Sequence, residues 1–251
     1  MTSIASSGIH VHVLFTAFVG LAVYAQNLTG FALALVLLGL VGLTDLIPLT
    51  DATNAVTILT MSNACLFLYK RRPLSIQPAM KPAVIASIIG SLAGMGILTF
   101  LAANATNVLR ILLGLCVIGC AMLLWKSAEP YEQPSGTKTF TCVGAISGLL
   151  GGMFATPGPP LVYAVYRQPW PMNTIQESLI FSFGVGAALR LSVMTATGQI
   201  SRLAIQLALE ALPVLFVVTV YAANRRPPVS KEMLQRIVCV LLICAGVGIL
   251  V

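Results

Sequence analysis

The sequence predicts an all-α protein that crosses a membrane several times. Of its 251 residues, 58% are hydrophobic and only 8% are charged, whereas about one quarter of the residues in a soluble domain are charged. Apolar stretches of about 18 residues or more, the length that suits a membrane-spanning helix, recur along the chain. The basic residues stand in the short loops between these stretches. Together these observations favour a polytopic membrane protein without a separate soluble domain.

The apolar sequence divides into ten segments, separated by stretches that contain charge, proline or small polar residues and therefore end helices. We delimit the segments at residues 9–25, 30–47, 53–69, 83–102, 108–125, 139–154, 159–166, 175–197, 203–222 and 233–250. The longest polar stretch joins the fifth segment to the sixth. A single membrane domain is therefore predicted, with a first half at 1–126, a linker at 127–138 and a second half at 139–251.

The basic loops predict the orientation. Lys70-Arg71-Arg72, the linker region with Lys126 and Lys138, and Arg225-Arg226 fall on one side when the segments are traced through the bilayer. Cytoplasmic loops carry an excess of lysine and arginine. We therefore expect a multi-pass protein of the cytoplasmic (inner) membrane with both termini outside. This bias also accounts for the net charge of +7 without a nucleic-acid partner.

The stretch GGMFATPGPP, residues 151–160, breaks the second half with three glycines and three prolines. Within a bilayer, irregular backbone is tolerated only where protein buries it or where it lines a watery cavity. Segment 159–166 has eight residues, whereas a full crossing needs about 20. We therefore predict a re-entrant pair that enters the membrane, breaks at 155–159 and returns to the same side.

A similar break occurs early in the chain, in AQNLTG at residues 25–30. Placing Gly30 on Gly158 aligns the two halves segment by segment, with the breaks facing opposite sides. The sequence therefore predicts two inverted five-segment repeats, each with a re-entrant or broken helix pair. Inverted repeats of this kind are common in secondary transporters.

The stretch GAISGLLGGMFATPGPPLVYAVY, residues 144–166, resembles the second-half signature of the TauE/SafE sulfite exporter family. In that family a GxxxGxxG run, here Gly144, Gly148 and Gly151, precedes a Gly-Pro-Pro or Gly-Gly-Pro ending. The final two segments are also similar to those of the family. The resemblance implies a carrier of small anions such as sulfite, organosulfonates or related sulfur and organic anions, often moved outward. In the first half, QNLTG at 26–30 replaces the family's glycine run.

The two breaks are the predicted substrate site. Helix N-termini at a break present free N–H groups and the positive end of the helix dipole, which together suit an anion. We expect both tips to meet near the middle of the membrane, where the halves alternate access to one anion. The tip residues are Gln26, Asn27, Thr29 and Gly30 on the outer side and Thr156, Pro157, Gly158 and Pro159 on the inner side. Alternatively, the prolines only kink a helix and the glycines only permit close packing.

Three further polar residues are predicted to line this site. Arg190 lies near the middle of segment 175–197, and a charge so deep in a membrane is costly and usually functional. We interpret Arg190 as a counter-charge for the anion or as a gate, with a structural carbonyl or lipid partner as the alternative. Asn63 and Ser182 are candidate lining residues, although interhelical hydrogen bonding explains either one equally well.

Three carboxylates are candidates for coupling transport to an ion, a proton or sodium: Glu177, Glu210 and Asp51. Glu177 follows Thr174 by three residues, which also matches a capping box at the start of a helix. Glu210 is a lone carboxylate inside segment 203–222, close to the predicted outer end.

An intramembrane enzyme and an anion channel are the alternatives to a secondary transporter. An enzyme needs a nucleophile with its base, a metal set or paired aspartates. The two histidines, His10 and His12, both lie within the first 12 residues, and the six cysteines form no CxxC pair. We therefore predict no catalytic residues, no metal and no cofactor.

Overall fold

The computed structural model describes residues 2–44, 46–104, 131–155 and 159–224, with scattered positions between 108 and 122 and at 240 and 243. This part of the chain is helical and contains no strand. Its elements are α1 (Thr2–Thr29), α2 (Leu33–Thr44), α3 (Leu49–Lys70), a 3₁₀ turn (Pro78–Met80), α4 (Lys81–Asn104), α5 (Thr137–Phe154), α6 (Pro159–Tyr166), α7 (Met172–Ala196) and α8 (Arg202–Asn224). The predicted segments 108–125 and 233–250 lie outside the described residues apart from the scattered positions.

Four helical stretches of the described part are long and apolar enough to cross a membrane: His10–Thr29, Pro78–Leu101, Met172–Ala196 and Arg202–Ala222. Helices α4 and α8 also expose large apolar side chains such as Ile85, Ile89, Phe216 and Val217. Extensive apolar surface is rare on soluble proteins, whereas lipid covers it without cost. The prediction of an all-α protein with several membrane-spanning helices is confirmed.

The break in the first half lies later than the sequence predicts. Helix α1 continues to Thr29, and the irregular residues are Gly30, Phe31 and Ala32. Gly30 adopts a positive φ of 88° and its N–H donates to the Gln26 carbonyl, 2.5 Å away. A glycine in this conformation is the usual end of a helix. Gln26, Asn27 and Thr29 are therefore helical, and the expectation that they stand in an unwound tip is wrong.

The second broken pair is a hairpin whose two ends meet. Helix α5 ends at Phe154, and the C-cap residue Ala155 has a left-handed φ of 54°. At the other end, Ser135 N donates to Gln168 Oε1 at 2.8 Å, and Tyr131 N donates to the Arg167 carbonyl at 2.7 Å. The start of α5 and the end of α6 therefore lie at the same end of the bundle.

The fourth helix of each half packs along the first helix of the other half. Helix α4 runs along α5, and α8 runs along α1 and α3. Both exchanged pairs are parallel, because their contacts advance together along the two chains. His12 of α1 contacts Glu210 of α8, and Asn27 contacts Thr219 further along both helices.

Glycines bring α4 and α5 to backbone contact. A Cβ added to Gly144, Gly148 or Gly152 would stand 2.2–2.3 Å from the carbonyl oxygen of Ala83, Ser87 or Ser91, respectively. Gly90 and Gly94 of α4 approach the α5 backbone equally closely. In membranes, where there is no hydrophobic force between helices, such small residues allow close van der Waals packing.

We expect Gly148→Ala to destabilise the protein, because its methyl group would lie 2.2 Å from the Ser87 carbonyl oxygen and must push two helices apart. Overpacking of this kind costs about 1–3 kcal/mol. Gly96→Ala on α4 is the matched control, since nothing lies within 4 Å of the added carbon. Thermal unfolding in detergent measures both variants. If Gly148→Ala, like Gly96→Ala, melts at or above the wild-type temperature, the close contact between α4 and α5 is contradicted.

Candidate functional site

A small cavity lies between the two halves of the chain. Its walls come from α3 and α4 of the first half and from α5, its end and α7 of the second half, namely Thr57, Thr60, Ser91, Gly151, Ala155, Phe183, Gly186, Ala187 and Arg190. The centre of a water-sized sphere can occupy about 20 Å³ of it, room for about one water molecule.

Arg190 is the charged residue of this cavity and is 5% exposed. Its Nη1 donates to the carbonyl oxygen of Gly152, in the last turn of α5. Carbonyls in the last turn of a helix have no partner within the helix and carry the negative end of its dipole. Arg190 thus satisfies the backbone at the point where α5 breaks.

Two polar atoms at the cavity have no hydrogen-bond partner among the described residues. They are Arg190 Nε and Thr60 Oγ1, and Thr60 is also 5% exposed. A buried donor without a partner costs about 1–3 kcal/mol, and more when it is charged. By contrast, Thr57 and Ser91 donate to the carbonyls of Thr53 and Gly148. Among the described residues, the cavity therefore offers at least the Arg190 Nε–H and the Thr60 hydroxyl to a bound group.

The outer tip is held by a closed ring of three buried side chains. Asn63 Nδ2 donates to Asn27 Oδ1 at 3.1 Å, Asn27 Nδ2 donates to Thr219 Oγ1 at 3.1 Å, and Thr219 Oγ1 donates to Asn63 Oδ1 at 2.8 Å. The ring joins α1, α3 and α8, and each member both donates and accepts. The structure thus brings the predicted residues Asn27 and Asn63 together, as a link between helices.

The N–H groups of the outer tip are largely used within the tip itself. Leu33 N donates to Gln26 Oε1 at 3.1 Å and Phe31 N donates to Thr29 Oγ1 at 3.4 Å, while Gly30 N donates to the Gln26 carbonyl. The Gln26 side chain thereby caps the start of α2. Its Nε2 is buried and has no partner within the described residues.

Two residues of the second half donate hydrogen bonds to carbonyl groups at the end of α1. Tyr166 Oη donates to the Thr29 carbonyl and Gln176 Nε2 donates to the Leu28 carbonyl, each at 2.5 Å. Gly30 also lies against α7, where an added Cβ would stand 3.2 Å from Gln176 Cα. The end of α1 is therefore fastened to α6 and α7.

Within the part of the chain that it describes, the structure does not join the remaining residues of the predicted tips and lining to the residues described above. Thr156, Pro157 and Gly158 lie outside the described residues, and Pro159 is the first residue of α6. Ser182 is 3% exposed, and its Oγ has no partner within the described part of the chain. The prediction that these residues form one site with the outer tip stays a prediction.

The three candidate coupling carboxylates differ in their surroundings. Glu177 is buried and its Oε2 accepts a hydrogen bond from Ser75 N at 2.6 Å. The N-cap of α7 is Pro171, so the capping-box interpretation of Glu177 is wrong. Glu210 is exposed and bonds to His12 Nδ1 at 2.5 Å and Gln206 Nε2 at 3.0 Å. Asp51 lies in the first turn of α3.

Sequence reasoning missed Thr60, Ser91 and Thr219 as residues of the cavity and the ring. A signal existed for Thr60, because Thr57 and Thr60 are one helical turn apart and belong to the polar face of an otherwise apolar helix. Ser91 stands one turn after Ser87, and both face glycines of α5. Nothing in the sequence singled out Thr219, a lone threonine in the apolar stretch VLFVVTVYAA.

The helices that are long and apolar enough to cross a membrane define a multi-pass membrane protein. The family model "Sulfite exporter TauE/SafE" matches residues 11–249, and the chain belongs to this family. It is also similar to the "Probable sulfite/organosulfonate exporter TauE" of Cupriavidus necator (strain H16), with 30% identity over 93% of this chain and 91% of that protein. No solved structure was found to match. Because members of the family are exporters, the enzyme alternative is excluded.

We expect Asn63→Ala and Thr219→Val each to lower the melting temperature in detergent, because each breaks the ring and strands a buried partner, at about 1–3 kcal/mol. The melting temperature of the double variant should fall by less than the sum of the two single decreases, because the first change already breaks the ring. Asn54→Ala is the control, because its bond to the Gln199 carbonyl is exposed. Additive losses would show that the three side chains do not act as one unit.

Proposed function

We propose that this protein is a secondary transporter that exports small anions, sulfite and organosulfonates among them, across the cytoplasmic membrane. The observation that carries the proposal is the buried guanidinium of Arg190, whose Nε, like the Thr60 hydroxyl of the same cavity between the halves, stands without a described partner. An unpaired cation in a membrane domain is costly, and an anion offsets that cost. The name of the relative from Cupriavidus necator supports the same substrate class.

The proposal includes an inverted repeat with two re-entrant pairs. The α5–α6 hairpin has both ends at one end of the bundle. For the α1–α2 pair, His12 in the first half of α1 contacts Glu210 of α8, and α2 leads into α3, whose Asn54 contacts Gln199 just before α8 begins. These contacts support a scheme in which the two pairs enter from opposite ends. The exchanged packing of the fourth helices, α4 on α5 and α8 on α1, is the pattern that a two-fold relation between the halves produces.

In this scheme the cavity holds the anion while access alternates between the two sides. Its walls come from both halves, so that a movement of one half against the other opens it. Its small size supports a carrier over an open channel, since a channel requires a continuous wet path. Gln26 Nε2 and Ser182 Oγ are further buried polar atoms without described partners, and we include them as groups that the anion contacts as it leaves.

The proposal also includes a coupling ion, a proton or sodium. Of the three candidate carboxylates, Glu177 is the buried one, and buried carboxylates inside membranes commonly serve as proton relays. Its bond to Ser75 N joins the start of α7 to the loop after α3. A change in its protonation would therefore act on the helix that carries Arg190.

We expect Arg190→Gln to reduce export of labelled sulfite from proteoliposomes about tenfold or more, because it removes charge-assisted hydrogen bonds worth about 1.5–3 kcal/mol each. Thr60→Val should reduce it less, through the loss of one neutral donor. Arg202→Gln is the control, since Arg202 is an exposed cation at the start of α8 and lies outside the cavity. Transport that survives Arg190→Gln unchanged in folded protein would exclude this cavity as the site.

We expect both chain ends to lie outside the cytoplasm. In a variant without native cysteines, single cysteines at Ser3 and Val251 should react with an impermeant maleimide added to intact cells. A cysteine at Lys138, in the predicted cytoplasmic linker region, is the control and should react only after permeabilisation. Labelling of positions 3 and 251 that also requires permeabilisation would reverse the proposed orientation.

A further inference from the structure

We propose that the cavity selects anions by charge, taking those with a single negative charge in preference to those with two. The inference rests on the proposed function, since it concerns the same cavity and names which anions it prefers. Two features of the cavity carry it, the number of its charges and the surroundings of that charge, and a third, its unpartnered donors, indicates where an anion would bind.

The first feature is that the cavity contains one charged side chain among its described lining residues, Arg190. The other described walls are hydroxyls, glycines, alanines and a phenyl ring. A monoanion and a guanidinium form a neutral pair, whereas a dianion leaves one negative charge without compensation. Water screens such a charge at a surface, but in a buried site the charge is costly.

The second feature is that the positive charge is already shared. Arg190 Nη1 donates to the carbonyl of Gly152 in the last turn of α5, which carries the partial negative charge at the end of the helix dipole. That end of α5 also repels an incoming anion. The attraction available to the substrate is therefore less than that of a free guanidinium, which penalises a second negative charge further.

The third feature is the supply of donors. Arg190 Nε and Thr60 Oγ1 are the unpartnered polar atoms of the described walls, and both residues are more than nine-tenths buried. Two donors satisfy two lone pairs of one oxygen, or two oxygens of one face of an anion. Ser91 and Thr57 have their hydrogens committed to backbone carbonyls. These donors serve a monoanion and a dianion alike, so the preference between the two rests on charge.

The test measures binding to the purified full-length protein in detergent by isothermal titration calorimetry at constant ionic strength. Methanesulfonate and sulfate form the first pair, since both present tetrahedral sulfur oxyanions with one and two charges. Sulfite forms a second comparison, because it changes from monoanion to dianion near neutral pH. Methanesulfonate keeps its charge over the same range and so reports any titration of the protein itself.

We expect methanesulfonate to bind at least about tenfold more tightly than sulfate, a difference of about 1.4 kcal/mol. Sulfite should bind more tightly below its second pKa than above it, relative to methanesulfonate at the same pH. Sulfate that binds as well as methanesulfonate, or sulfite that binds better as the dianion, would overturn the charge selection and leave the proposed function standing. If none of the three anions binds or is transported, the proposed function itself fails.

Variants separate charge from hydrogen bonding. Arg190→Gln should lose the preference for the monoanion, whereas Arg190→Lys keeps a cation and should keep the preference at lower affinity. Thr60→Val should weaken methanesulfonate and sulfate by the same factor, since it removes a donor and no charge. A changed ratio of methanesulfonate to sulfate affinity in Thr60→Val would contradict the assignment. An unchanged ratio in Arg190→Gln as well as in Arg190→Lys would also contradict it. Arg190→Lys also keeps the test decisive if Arg190→Gln does not fold.

Discussion

Backbone N–H and carbonyl groups inside a bilayer must find partners within the protein, and a broken helix exposes more of them than an intact one. In this protein carbonyl groups at the breaks are satisfied by side chains that arrive from other helices. Tyr166 and Gln176 of the second half bind the last carbonyls of α1, and Arg190 binds the Gly152 carbonyl near the end of α5. The two halves therefore depend on one another, because separating them strands polar backbone in lipid.

The same requirement explains where the cavity forms. Helices α4 and α5 touch through backbone at Gly144, Gly148 and Gly152, which leaves no space between them. Beyond Gly152 the helix soon ends, at the left-handed residue Ala155, and no further turn of α5 continues the contact. Ser91 and Ala155 therefore border a small space that α3 and α7 enclose with Thr60 and Arg190. The tight packing of α4 against α5 before the break therefore places the cavity just beyond it.

The sequence was sufficient for the class of the fold, because hydropathy, charge placement and proline-rich breaks follow from the bilayer itself. It singled out Arg190 as a deep charge that needs a partner, and the structure supplies the Gly152 carbonyl, while the role of Arg190 toward an anion stays a prediction. It placed the break of the first half several residues too early. The polar residues of QNLTG resemble a loop, whereas in the structure residues 26–29 belong to the end of α1. Thr60 and Thr219 could not be chosen from their neighbours, since their roles depend on contacts between helices that are distant in the sequence.

An arginine at this position meets two demands that a lysine cannot meet together. The guanidinium presents five N–H donors in a fixed plane, so Nη1 can hold the Gly152 carbonyl while Nε remains directed elsewhere. A lysine ammonium is a compact charge on a flexible stem and would have to divide itself between the carbonyl and a bound group. The end of α5 therefore keeps its partner whether or not the cavity is occupied. Because this anchor does not depend on a ligand, the break can persist in the empty protein, and the proposed anion site need not assemble anew for each anion.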